Sequence, residues 1–349
     1  MSAARNPGFL AVVALAPSLL TGPAAGEAHA FSPENHRSVT AAAVAKGPGE
    51  FRQISATYER LIAAVLQPDK DEHDRGPAHC DNADYLSPDN NGGHPYVRTR
   101  QEATAELFAC VRLADDRFHQ AVRAAGDLVS EQGEVRADQT GIDKCRLGQP
   151  SQTAKCGVLE GLGRSWHTVE DFYSHSNYAD AAKDAPLGIG NPPGLRRQAP
   201  APVFGFASDA GLNNEAEFSQ LLEKEKMLDL ATGCYPGETE STGRKVKDCG
   251  PADKGGRRIT HDDDNPPDKY PGIPDGLAKD TQNYTRAKYT FAPGVTNFRR
   301  AVDQAVQEIA HQWAMFKSTL ADTYGPQRAN AMIVAITQDA ADRQSRPGP

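Results

Sequence analysis

Three residues of types that bind metal ions recur at every fourth position in one stretch of the chain. They are His167, Asp171 and His175, and they lie in a proline-free stretch, 161–178, of which 164–174 is predicted to be helical. At 3.6 residues per turn, successive members are rotated by only about 40°, so all three project from one face. Two imidazoles and a carboxylate on one helical face form a preorganised site for a borderline metal ion such as zinc. The alternative is a buried helix whose histidines are only hydrogen-bonded.

The elements that must position this face are also predicted to be helical. Apolar residues of the same stretch would seat the helix in a core; they are Leu162, Trp166, Val169, Phe172 and Tyr173. Apolar residues recur at helical spacing elsewhere too. These stretches are 49–66, 97–131, 215–232, 297–324 and about 327–342. Strand-like alternation and internal repeats are not evident, so the sequence predicts an all-α fold with long Gly- and Pro-rich loops.

The first thirty residues are typical of a secretory signal peptide. Arg5 supplies positive charge, 9–20 is an apolar run too short to span a bilayer, and Ala-His-Ala at 28–30 is a small-residue cleavage signal. We therefore expect cleavage after Ala30 and a secreted (extracellular or cell-envelope) protein without a transmembrane segment. The alternative is an N-terminal anchor.

Composition narrows the function classes. The 349-residue chain has a formal net charge of −8, which argues against electrostatic capture of nucleic acid as its main role. Hydrolysis of phosphoesters stays possible, because bound metal ions reverse the local field. We expect residues 31–343 to form a single domain and 344–349 to be a disordered tail.

Six cysteines in an exported chain predict three disulfides. Pairing between nearest neighbours would give Cys80–Cys110, Cys145–Cys156 and Cys234–Cys249, although other connectivities are possible. A thiolate metal site is less favoured, because the chain has no Cys-x-x-Cys pair.

The stretch 162–178, LGRSWHTVEDFYSHSNY, resembles the signature of the Het-C-like proteins. That group is related to the superfamily of zinc-dependent phospholipases C and S1/P1 nucleases. The resemblance implies a helical bundle of the phospholipase C and P1 nuclease type that holds up to three zinc ions. The rest of the chain matches more loosely, over about half its length.

The resemblance also implies a set of ligands, carried over by position. They are His36, Asp69, His79, His167, Asp171, His175 and the backbone amine and carbonyl of Phe31 at the mature terminus. Asp171 would in addition be catalytic, by bridging metals or orienting water. His261 in the long loop is either a further ligand or a solvated histidine. Lys279-Asp280 is similar to a short Het-C segment that would be a structural anchor.

The chain departs from the superfamily at one late helix. Relatives open that helix with a further histidine and acidic residue, whereas the corresponding segment here, 295–300, reads VTNFRR. We therefore expect one to three zinc ions, with two favoured.

Two functions remain open at this point. The first is a secreted zinc-dependent phosphoric-ester hydrolase that attacks a phospholipid or nucleic acid with a zinc-activated water. The second is a non-catalytic exported protein for interaction or cell–cell recognition, in which zinc is structural and a cell-surface protein is the partner. A calcium-binding domain built on the Asp-rich loops would leave the histidines unexplained.

Overall fold

The computed structural model describes residues 31–45, 51–150, 153–206, 213–247, 249, 258–261 and 276–339. Within these ranges the chain is mostly helical, with isolated bridges and one short antiparallel hairpin as its β-structure. This confirms a mainly helical class. The predicted signal peptide, the tail 344–349 and the acidic run 262–264 lie outside the described residues.

The helices and strands follow one another in this order. They are α1 (Pro33–Val44), α2 (Ala56–Val65), α3 (Pro68–Asp71), α4 (Gly76–His79), α5 (Arg100–Gly126), α6 (Ala154–His175), α7 (Glu215–Lys224), α8 (Thr285–Lys288), β1 (Thr290–Ala292), β2 (Val295–Thr296), α9 (Asn297–Tyr324) and α10 (Pro326–Thr337), with 3-10 turns at Pro88–Asn90, Ala137–Gln139 and Pro202–Phe204.

Helix α6 is the centre of the bundle. Each of its residues except Arg164 is buried, and it packs against α1, α2, α4, α5, α9 and α10. Its N-cap is Thr153, whose side chain accepts a hydrogen bond from the backbone N–H of Cys156. Because the helix is enclosed on all sides, every polar side chain on it needs a partner inside the protein.

Two glycines allow the neighbouring helices to approach α6 closely. A Cβ atom added to Gly163 would lie 2.5 Å from the Cβ of Ala64 on α2. One added to Gly161 would lie 2.8 Å from the carbonyl oxygen of Arg117 on α5. Both contacts are too short for any side chain, so glycine at these positions sets the helix–helix distances.

Three polar side chains on α9 hold the segment 198–204, which ends in the 3-10 turn Pro202–Phe204, against the bundle. Gln304 Nε2 donates to the carbonyl of Gln198 at 3.2 Å, and Gln312 Nε2 donates to that of Phe204 at 2.8 Å. Between them, the fully buried carboxyl group of Glu308 accepts from the backbone N–H of Ala201 at 2.8 Å. The i, i+4, i+8 spacing puts all three on one face of α9.

The disulfides are those expected from pairing between nearest neighbours. Cys80 is bonded to Cys110, Cys145 to Cys156 and Cys234 to Cys249. The first of these ties the end of α4 to α5, directly beside His79.

A buried charge cluster fixes the loop 276–280 to the chain that follows α6. Lys279 Nζ donates to the carbonyl of Ser176 at 2.8 Å and lies 3.3 Å from Asp180 Oδ2. Arg286 Nε donates to the same carboxylate oxygen at 2.8 Å. All three charged side chains are fully buried. Lys279 is therefore well placed for the anchoring role that the sequence suggests.

Candidate metal centre

The ligand-type residues of α6 project into the interior of the bundle. His167 and Asp171 are fully buried, and His175 is 1% exposed. Each meets residues brought from other elements, and the described side chains form three groups that could hold a metal ion, two of which share His167. These groups are His36, Asp69 and His167; His79, His167 and Asp171; and Asp81, His175 and His261.

The group of His79, His167 and Asp171 is the tightest. His79 Nδ1 lies 3.1 Å from His167 Nε2 and 3.0 Å from Asp171 Oδ2, and the latter two atoms are 2.9 Å apart. Ligand atoms around a tetrahedral zinc ion at about 2 Å are separated by roughly 3.3 Å. The triangle therefore has close to the size that a zinc ion needs.

His36 and Asp69 extend this group on the side facing α1 and α3. His36 Nε2 lies 3.2 Å from Asp171 Oδ1, and its ring stacks on that of His167 with 4.5 Å between centroids. Asp69 Oδ1 lies 3.6 Å from His167 Nε2. The two oxygens of Asp171 thus face different histidines, which is the placement that a carboxylate bridging two cations requires.

The third group lies one helical turn further along α6. His175 Nδ1 is 3.1 Å from Asp81 Oδ1, and His261 Nε2 is 3.7 Å from the same oxygen. Asp280 Oδ1 lies 3.3 Å from His175 Nε2. Asp280 therefore adds a fourth side chain to this group.

Several buried polar atoms at these groups have no hydrogen-bond partner among the described residues. Those atoms are His36 Nε2, Asp69 Oδ2, Asp81 Oδ1, His167 Nδ1, Asp171 Oδ1, His175 Nε2 and Asp280 Oδ2. Burying such an atom without a partner costs about 1–3 kcal/mol. The donor set of imidazole nitrogens and carboxylate oxygens fits a borderline divalent cation.

Backbone carbonyls orient two of the histidines. His79 Nε2 lies 3.2 Å from the carbonyl oxygen of Glu72, and His175 Nδ1 lies 2.9 Å from that of His79. A ring nitrogen that donates to a carbonyl leaves the other nitrogen of the ring as the metal ligand. For His79 that other nitrogen is Nδ1, which faces Asp171.

The protein holds opposite charges at this site before any metal binds. Burial would lower the pKa of His36, but the nearby carboxylates of Asp171 and Glu170 raise it to about 10. Burial would raise the pKa of Asp171, but the imidazoles of His167 and His36 hold it well below its usual value. A metal ion bound by His36 would therefore have to displace a proton from its imidazole, so the affinity for metal falls at low pH.

The structure brings together the side chains that the sequence analysis proposed as ligands. His36, Asp69, His79, His167 and Asp171 make up the two groups that share His167, and His175 and His261 belong to the third. Phe31 is fully buried, and its ring meets that of His36 edge-on at 5.9 Å. Its proposed terminal amine depends on cleavage after Ala30, which lies outside the described residues.

Two acidic side chains at the third group, Asp81 and Asp280, were missing from the proposed ligands. Asp81 follows His79 by two residues, and that short spacing is a signal that could have identified it. Asp280 approaches the site because the N–H of Ala278 donates to the carbonyl of His261 at 3.0 Å. That pairing of distant loops leaves no pattern in the sequence.

The start of α9 carries Asn297 where members of the superfamily have a further histidine and acidic residue. Asn297 accepts a hydrogen bond from the N–H of Ala181 and donates one to its carbonyl, both at 2.9 Å. The side chain at this position therefore fastens the chain that follows α6. His261 and Asp280 provide an imidazole and a carboxylate from loops.

Comparison of the chain with protein-family models, curated proteins and solved structures found no match. The resemblance of 162–178 to the Het-C signature therefore stays a prediction from the sequence. Among the described helices, none has the length and apolar character needed to cross a bilayer.

Proposed function

We propose that this protein is an exported, metal-dependent phosphoric-ester hydrolase of the Het-C-like type, with at least two divalent ions at its centre. The observation that carries the proposal is the position of Asp171, whose two carboxylate oxygens face His36 on one side and His79 and His167 on the other. When bound, a pair of such ions supplies Lewis-acid stabilisation of phosphoryl oxygens and acidifies a water molecule.

Zinc is the favoured metal because of the donor set. Five histidines, His36, His79, His167, His175 and His261, contribute to the three groups. Calcium and magnesium prefer sites made of oxygen atoms, whereas imidazole suits zinc and other borderline ions. The three disulfides and the signal-like N-terminus support an exported protein.

Charge balance also favours more than one ion. Four aspartates (Asp69, Asp81, Asp171 and Asp280) meet the histidines, and their ion pairs within the described residues are with imidazoles. Buried carboxylates need cations close by, since isolated buried charges are costly. Two divalent ions would neutralise these four charges.

The burial of the groups favours a second candidate, a non-catalytic protein in which zinc is structural. His36, His167 and Asp171 are fully buried, and His79 is 5% exposed. Structural zinc sites are closed, whereas catalytic sites keep one position open to substrate. In this alternative the centre pins α1, the α3–α4 region and α6 together, and the loops bind a cell-surface partner.

Hydrolysis assays on the zinc-loaded protein distinguish the two candidates. We expect cleavage of bis(p-nitrophenyl) phosphate, abolished by a chelator and reduced at least about 100-fold in Asp171→Asn. His119→Ala is the matched control, because His119 is a half-buried histidine of α5 that pairs with Asp115 outside the groups. Phospholipid vesicles and single-stranded DNA, tested in parallel, identify the substrate class. A protein that binds zinc but cleaves none of these three substrates would match the second candidate, in which zinc is structural.

A further inference from the structure

Glu170 is a fully buried carboxylate that lies beside Asp171 on α6 but belongs to none of the three groups. Its Oε2 lies 2.5 Å from His36 Nδ1, and its Oε1 accepts a hydrogen bond from Thr40 Oγ1 at 2.7 Å. His36 and Thr40 are one turn apart on α1, so a single carboxylate contacts two residues on one face of that helix.

This contact decides which nitrogen of His36 faces the metal centre. With Nδ1–H donating to Glu170, the lone pair that remains for a metal is on Nε2. Nε2 is the atom that lies 3.2 Å from Asp171 Oδ1 and has no hydrogen-bond partner among the described residues. The imidazole is thus fixed in both its tautomer and its direction.

His36 differs in this respect from His79. The ring of His79 is oriented by a neutral backbone carbonyl, that of Glu72. A carboxylate partner makes an imidazole a stronger electron donor than a carbonyl partner does. Burying a carboxylate is also expensive, and a carbonyl or amide would be enough if only the packing of α1 against α6 mattered.

We propose that Glu170 is a positioning residue of the metal centre, which sets the tautomer of His36 and strengthens its bond to the metal. The inference rests on the metal-binding part of the proposed function and is independent of whether the centre hydrolyses anything. It also makes α1, the helix nearest the predicted mature terminus, depend on α6 for its alignment with the centre.

Graded substitutions separate the charge of Glu170 from its hydrogen bond. Glu170→Leu removes the acceptor, Glu170→Gln keeps an oxygen that accepts from His36, and Thr40→Val is the control that removes only the second hydrogen bond. Metal affinity is measured by competition with a chelator for Co²⁺ and Zn²⁺, together with the visible spectrum of the Co²⁺ protein. We expect Glu170→Leu to lower the affinity for one metal ion by about 10- to 100-fold and to change the visible spectrum of the Co²⁺ protein. Glu170→Gln should recover part of the affinity, and Thr40→Val most of it.

Two results would overturn the proposal. One is an affinity and spectrum of Glu170→Leu equal to those of the wild type. The other is a loss in Thr40→Val as large as that in Glu170→Leu, which would reduce Glu170 to packing. If the variants fail to fold, long-range ¹H–¹⁵N spectra of the zinc-loaded wild type still decide, since they must show His36 protonated at Nδ1 and coordinated through Nε2. Because these readouts do not involve turnover, a protein without hydrolase activity leaves the inference testable.

Discussion

The contribution of Glu308 to the stability of this protein should fall as pH rises. Its carboxyl group lies between α9 and α6, where it accepts hydrogen bonds from Tyr173 Oη at 2.8 Å and from the N–H of Ala201 at 2.8 Å. Burial raises the pKa of Glu308 from 4.5 to about 7, against the opposing effect of its hydrogen bonds with Gln312, Tyr173 and Ala201. The native state therefore holds this proton over a pH range in which the unfolded chain has released it.

The size of the effect follows from linkage. A pKa raised from 4.5 to about 7 corresponds to about 3.4 kcal/mol, at 1.36 kcal/mol per unit. That stabilisation is fully present below pH 4.5 and is lost as pH rises through about 7. Between pH 5 and pH 8 the loss amounts to about 2.5 kcal/mol.

Glu308→Gln removes the titrating group, so the difference between variant and wild type isolates its effect. We expect the free energy of unfolding of Glu308→Gln, relative to the wild type, to rise by about 2.5 kcal/mol from pH 5 to pH 8. Urea denaturation followed by circular dichroism, in the presence of a chelator, measures it. Glu59→Gln replaces an exposed carboxylate of α2 and should change stability by less than about 0.5 kcal/mol at either pH. A relative change below about 0.5 kcal/mol for Glu308→Gln would refute the argument.

Two further substitutions test the packing around α6. Gly163→Ala should destabilise the protein by about 1–3 kcal/mol, because its Cβ would lie 2.5 Å from that of Ala64, whereas Gly141→Ala, with no atom within 4 Å of the added Cβ, should be nearly neutral. Equal denaturation midpoints for the two would contradict the close approach of α2 and α6. Asp180→Asn should lower the free energy of unfolding by about 3–5 kcal/mol, since it leaves the buried ammonium group of Lys279 without its counter-ion. A loss under about 1 kcal/mol in urea denaturation would show that the cluster is not a charge-paired anchor.

Local periodicity was enough to predict some helices with accuracy. The last long helix was expected at 297–324 and is Asn297–Tyr324, because its apolar residues recur at helical spacing between a capping threonine and a glycine. Helix α6 begins at Ala154 and not at the expected 164. Its glycines look like helix breakers in the sequence, whereas in the fold they admit α2 and α5 at short distance.

The candidate metal centre was predictable only in part, for a related reason. His167, Asp171 and His175 form a pattern within one helix, and the disulfides join cysteines that are neighbours in sequence. Asp280 reaches the site through hydrogen bonds between the loops 258–261 and 277–279. The role of Glu170 depends on how α1 crosses α6. Contacts of this kind come from tertiary packing, and no spacing along the chain reports them.

The most direct test of the central claim is the metal content of the mature chain and of Asp171→Asn, measured by native mass spectrometry after loading with zinc and removal of excess. One carboxylate oxygen of Asp171 faces His36 and the other faces His79. The wild type should therefore retain at least two zinc ions, and the variant should retain at least one fewer. A wild type that retains one ion or none, or a variant that retains as many as the wild type, would contradict a centre bridged by Asp171.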